Sequence, residues 1–246
     1  MPGLQRRLGF KTGKQQKNIF APQLITMSAD IQKESTVFEF RGPHSGAQRI
    51  WHWGSSLAII ALLCTVLIAS TLLKPRNNVH KIQDKLQEKG VNVTSDQAKA
   101  VAKSIGHPIW VWHKYIGVGL AVLFLFRIIL EFFEPEGQSL RARIRKGALY
   151  LRQMPGDKNT KHYLFVKYFY LLFYLMIFIM VSTGLCLIYA DDVDFIHTIE
   201  ENIKDIHSAV MYGVMGFIVL HIAGLMNSEL GPDPGITADM INGNKR

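Results

Sequence analysis

Hydrophobic positions in this chain come in long unbroken runs rather than in the alternating or three-to-four-residue patterns of a soluble core. Residues 50–73, 168–190 and 206–228 contain no Asp, Glu, Lys or Arg. A helix needs roughly 20 apolar residues to cross a hydrocarbon core about 30 Å thick, and each run reaches that length. A fourth segment, 110–133, is apolar but carries Lys114, Arg127 and Glu131. Lys114 lies near one end, where its stem can reach the surface. Arg127 and Glu131 stand one helical turn apart and are placed to pair. The pattern predicts an all-α protein, a bundle of four transmembrane helices at about 51–73, 110–133, 164–189 and 206–228. The expected organisation is an arm over 1–50, a membrane domain over 51–229 with an outer loop at 74–109, and a tail over 230–246. Within the loop, VHKIQDKLQEKG and TSDQAKAVAKSIG read as two short helices outside the membrane, the second capped by Thr94 or Ser95 and stopped by Gly106.

Composition agrees with this reading. Of 246 residues, 48% are hydrophobic and only 19% charged, below the roughly 25% of soluble domains. The formal charge is +9, which raises nucleic acid as a partner. The basic residues track the membrane edges instead, so no nucleic-acid role is expected. With the N-terminus inside, cytoplasmic segments hold seventeen Lys and Arg against eight outside, which orients both termini to the cytoplasm. The second outer loop, 190–206, holds six acids and one Lys, and suits an outside position or a docking surface. The first residues are basic and lack a long apolar stretch, so no secretory signal is read there. Met27 offers a second plausible start. Two cysteines, Cys64 and Cys186, rule out a disulfide framework and read as small apolar residues.

The chemistry rests on histidines. His52, His113, His207 and His221 lie in or at the ends of the spans, where polar side chains are functional-site hypotheses. A single such His can equally donate to a neighbouring carbonyl. Four with matching depths carry more. Fourteen residues separate His207 from His221, which returns to within roughly 40° of the same helix face and moves about 21 Å along the axis. With alternating helix directions, His113 pairs in depth with His207 at the outer side, and His52 with His221 at the inner side. Two such pairs suit two bis-histidine haems stacked across a bundle. Zinc usually takes four ligands at one site, and a dinuclear carboxylate centre needs inward acids that three of the spans lack. No Cys-x-x-Cys-His occurs, so any haem is b-type.

Supporting residues have bland alternatives. Gly117 lies one turn after His113 and leaves room for a planar macrocycle, and Gly54, Gly119, Gly213 and Gly216 lie near the pockets. All five also fit plain helix–helix contact. Met211, Val214 and Ile218 would fill the space between the haems. Arg49 and Lys114 stand where propionates would emerge, or anchor the helix ends. His44, His80, His107, His162 and His197 read as surface residues.

These motifs resemble the prokaryotic cytochrome b561 superfamily, and most closely the b-type cytochrome subunits of membrane-bound nickel–iron hydrogenases. RIWHW at 49–53 and WHKYIGVGL at 112–120 look like the ligand segments of its first two helices. DIHSAVMYGVMGFIVLH at 205–221 is similar to the paired histidines of its fourth helix, and ITADMINGNKR to its C-terminal tail. The resemblance spans about 36–246, and the inserted loop 74–109 falls outside it. It implies a di-haem b subunit of a respiratory chain in the inner membrane of a prokaryote. Such a subunit passes electrons between an iron–sulfur or other redox subunit outside and the quinone pool, menaquinone or ubiquinone. Arg127, Glu131, Asn227 and Glu229 are inner-surface positions for a quinone pocket, with salt-bridge or anchor roles as the alternative.

Two other readings compete. One keeps the haems in a stand-alone, quinol-oxidising cytochrome b561. The other is a colourless membrane anchor or transporter with buried histidines.

Overall fold

The computed structural model describes residues 45–134, 139–231 and 235–243. The chain divides into Met1–Gly42 and Pro43–Arg246, and all described residues belong to the second unit. Most of the N-terminal arm, with Met27 and His44, therefore lies outside the described residues.

Eight helices form the described architecture, with no strand among these residues: α1 Gly46–Thr71, α2 Pro75–Gln87, α3 Ser95–Phe133, α4 Leu140–Gln153, α5 Lys158–Ile188, α6 Asp194–Thr198, α7 Glu200–Glu229 and α8 Ile236–Asn242. Four of them, α1, α3, α5 and α7, are long and apolar enough to cross a membrane. Their outer faces stay apolar and open. Leu57 is 70% exposed and Leu220 60%, an arrangement that water would penalise and lipid would not. The four helices meet in a core of Ile59, Leu120, Phe124, Ile177 and Val214. The helix pairs that pack closely are α1–α3, α5–α7 and α3–α5, with α2 on α3, α4 on α5 and α8 on α7.

Local chemistry sets the helix starts. Ser45 caps α1 and Thr94 caps α3, each in a reciprocal box with the Gln three residues on. Pro75 opens α2 at a position where its missing N–H is no loss. Asp157 caps α5 through the amides of Asn159 and Thr160. The Thr160 hydroxyl, helped by those amides, holds the Asp157 carboxyl below the ordinary carboxylate range. A depressed folded-state value stabilises the fold above the unfolded value, near pH 4, and that contribution is lost as pH falls through the folded one. Asp157→Ala is therefore expected to lower the melting temperature at neutral pH, with the difference closing in acid. Melting curves of both proteins across pH check this.

One expectation needs correction, and two further helices join the picture. Gly106 does not stop a separate loop helix. The segment from Ser95 continues through Gly106 and Pro108 into the span as one 39-residue helix. Gly106 is buried beside the residues that follow α1, where a Cβ would make ordinary contact with the Leu73 carbonyl oxygen at 3.7 Å. Pro108 removes one helix hydrogen bond without ending the helix. The stretch before α5 contains α4, an amphipathic helix with Arg141, Arg143, Arg145, Lys146 and Arg152. The C-terminal tail contains α8. Glu229 accepts from the Gly235 and Thr237 amides at 2.8 and 2.7 Å and so holds the start of α8.

Candidate haem-binding site

His52 on α1 and His221 on α7 face each other, with ring centroids 6.3 Å apart. The backbone places them there because His52 lies in the second turn of α1 and His221 two turns before the end of α7, at the same end of the bundle. A column of aromatic rings holds His221. Phe217, one turn earlier, lies parallel to it at 5.9 Å, and Phe169 and Phe173 of α5 stack on Phe217 at 4.6 and 4.4 Å. Trp53 meets His52 edge-on at 5.4 Å.

At the other end of the core stand His113 of α3 and His207 of α7. Each ring is held by a threonine on a neighbouring helix. Thr65 Oγ1 lies 2.7 Å from His113 Nδ1, and Thr183 Oγ1 lies 2.8 Å from His207 Nδ1. A Cβ at Gly184 would stand 3.4 Å from His207 Cε1, so the Thr183–Gly184 pair both binds this ring and makes room for it. Trp110 contacts His113 edge-on at 5.6 Å. Along α7 the two levels are about 21 Å apart, with Val214 of the core between them and Ile218 packed against it. Met211 is half-buried on the same helix.

These four histidines are half-buried, whereas His80, His107, His162 and His197 are exposed. No group of three or more His, Cys, Asp or Glu side chains able to hold a metal occurs among the described residues. The glycines divide. A Cβ at half-buried Gly117 would meet nothing within 4 Å, which leaves space beside His113. A Cβ at Gly54 would lie 3.7 Å from Leu123 and one at Gly213 would lie 3.2 Å from Met176 Sδ, as at helix contacts. Gly119 and Gly216 are exposed.

The basic residues have the following surroundings. Arg49 donates to the Ile241 carbonyl at 2.7 Å and so clamps α8 to α1. Lys114 is exposed. Arg127 pairs with Glu131 at 3.0 Å, donates to Tyr174 Oη at 3.1 Å and lies 3.9 Å from Glu134. Glu134 also accepts from Gln48 of α1. Glu229 is committed to α8, and Asn227 is exposed. Thr65, Thr183, Gly184, Phe217, Tyr174 and Glu134 escaped the sequence reading. Their only signal there is a lone hydroxyl, ring or acid in an apolar run or at its edge.

A membrane bundle with histidine pairs at two depths defines the class of membrane cytochromes. The family model of prokaryotic cytochrome b561 matches residues 44–243. The chain belongs to that family and is a multi-pass membrane protein, a haem b electron carrier. No curated protein and no solved structure matches it.

The residues present fit haem b. Two imidazoles on opposite sides of one iron stand with ring centres roughly 6 Å apart, from metal–nitrogen bonds of about 2 Å each. The His52–His221 separation is 6.3 Å. Neither α1–α7 nor α3–α7, the helix pairs that carry the two histidine pairs, is among the closely packed pairs, which leaves width for a macrocycle.

Proposed function

We propose that the chain holds two haem b groups, one between His52 and His221 and one between His113 and His207. It carries electrons across the membrane between a redox subunit on the outer face and the quinone pool, menaquinone or ubiquinone, on the inner side. The observation that carries this reading is the 6.3 Å approach of the two imidazoles from α1 and α7. When bound, each haem supplies a one-electron couple. The protein's part is to orient the four imidazoles, keep water out with the Ile59–Leu120–Phe124–Ile177–Val214 core, and hold the two sites within one bundle.

Charge supports the sidedness. The basic face of α4 lies at the His52/His221 end, since α3 reaches that end beside Gln48 just before α4 begins. A basic edge belongs on the cytoplasmic side. At the opposite end, Asp191, Asp192, Asp194 and Glu201 are exposed around α6 and the start of α7. That acidic surface suits an iron–sulfur or other redox subunit of a membrane complex, such as the hydrogenase-like partner that the sequence resemblance implies. On this reading residues 51–229 are the di-haem domain.

The test is a dithionite-reduced minus oxidised spectrum of the purified chain, with pyridine haemochrome stoichiometry. The expected result is a b-type α band and two haems per chain. One haem per chain, or none in a folded preparation, overturns the ligand assignment. Recovery of an iron–sulfur subunit with the tagged chain tests the partner.

A further inference from the structure

We propose that Thr65 and Thr183 are positioning residues that fix the tautomer of His113 and His207 and bias their site toward the oxidised state of its metal. This rests on the reading that these two histidines hold a haem.

The argument begins with the hydroxyl protons. A threonine hydroxyl has one proton to donate and lone pairs to accept with. Thr65 Oγ1 lies 2.6 Å from the Leu62 carbonyl oxygen, and Thr183 Oγ1 lies 2.6 Å from the Ile179 carbonyl oxygen. Both protons are thereby committed to the helix backbone, the usual back-bond of a threonine inside a helix. What faces each histidine is an oxygen that can only accept. The second contact, 2.7 Å from Thr65 and 2.8 Å from Thr183, is made to Nδ1 in both cases. The imidazole must therefore donate, so its proton sits on Nδ1 and its lone pair on Nε2. The opposite tautomer would set lone pair against lone pair at hydrogen-bond distance.

The device occurs twice in the same form. Thr65 of α1 serves His113 of α3, and Thr183 of α5 serves His207 of α7. Both links cross closely packed helix pairs, α1–α3 and α5–α7. Branching at Cβ stiffens each threonine against rotation, so the ring is held in orientation as well as in tautomer. A metal-binding imidazole whose remote N–H is hydrogen-bonded is a more basic ligand and favours the more positive, oxidised metal. Here both ligands of one site carry that bond. The His221 ring is instead oriented by its stack on Phe217.

The experiment uses the full chain in detergent or nanodiscs, with Thr65→Val, Thr183→Val, the double Val variant and the matching Ser variants. Haem count, midpoint potentials from a spectroelectrochemical titration, and the low-spin EPR signals are read. Removing one acceptor is expected to shift the oxidised-to-reduced preference roughly tenfold, which raises one midpoint by about 59 mV for a one-electron couple. The other midpoint stays in place. Ser restores the wild-type value because it keeps the accepting oxygen. A Val variant that loses one haem while its Ser counterpart keeps both supports the same role, read through ligand orientation. The proposal is overturned if neither midpoint moves in the double Val variant, or if Ser variants shift as far as Val. Failure of the underlying site shows separately, as a His207→Ala variant that retains every haem of the wild type.

Discussion

On the proposed di-haem reading, replacing His207 with Ala is expected to leave a chain that binds one haem instead of two. The retained haem should keep its wild-type midpoint, because the His52–His221 pair stands about four helical turns away along α7. His113→Ala should reproduce that phenotype, since it removes the other half of the same site. His52→Ala and His221→Ala should each remove the other haem, and their rings face each other at 6.3 Å. His207→Ala combined with His221→Ala should leave a colourless protein. The expected cost is large because one lost imidazole leaves an iron with a single protein ligand in an apolar bundle, where nothing else among the described residues is grouped to replace it. Haemochrome stoichiometry on the five proteins checks the pattern. The pairing fails if His207→Ala and His113→Ala remove different haems.

How much of this was legible without coordinates follows from which signals are local. The four spans were, because a run such as 50–73 without a charge has few fates outside a membrane. The depth matching of the histidines was also legible, since it needs only a rise per residue and alternating helix directions. Gly106 misled because a breaker signal is local, while the helix continues through it from the capping box at Thr94 into the span. The α4 helix carries no long apolar run. Its Gly147 packs against Leu164 and Tyr163 of α5, a tertiary contact that no pattern announces. Thr65 and Thr183 were hidden for a different reason. A threonine inside a helix satisfies its proton on its own backbone, so nothing in the sequence demands a second partner. Arg49 also has a partner that its sequence position hides: its guanidinium holds the Ile241 carbonyl of a helix nearly two hundred residues away in sequence.

The Arg127 cluster gives the second large expectation, this one on stability. Arg127 is one-tenth exposed at its side chain, Glu131 one-fifth, and Glu134 less than either. Its guanidinium also lies over Trp51 and Tyr174, with 5.8 and 5.4 Å to the ring centres. Arg127→Met keeps the stem but leaves two carboxylates without their cation. Breaking a buried ion pair from one side costs about 3–5 kcal/mol, which in a chain of this size lowers Tm on the order of 10 °C. Adding Glu131→Gln and Glu134→Gln to Arg127→Met should recover most of that loss, because the cost lies in the stranded charges and not in the absent guanidinium. Arg127→Lys should fall between, since an ammonium lacks the planar group that stacks on Trp51 and donates from Nε to Tyr174. Thermal melts of the four proteins in one detergent check the order, and an Arg127→Met chain that melts with the wild type would sink the account. The same substitution should reach the haem proposed between His52 and His221. Trp51 precedes His52 and packs on Tyr174 at 5.7 Å, so loosening Arg127 frees the first turns of α1. The His52/His221 haem should then dissociate at a lower temperature than the His113/His207 haem, whose threonine links lie at the far end of the same helices.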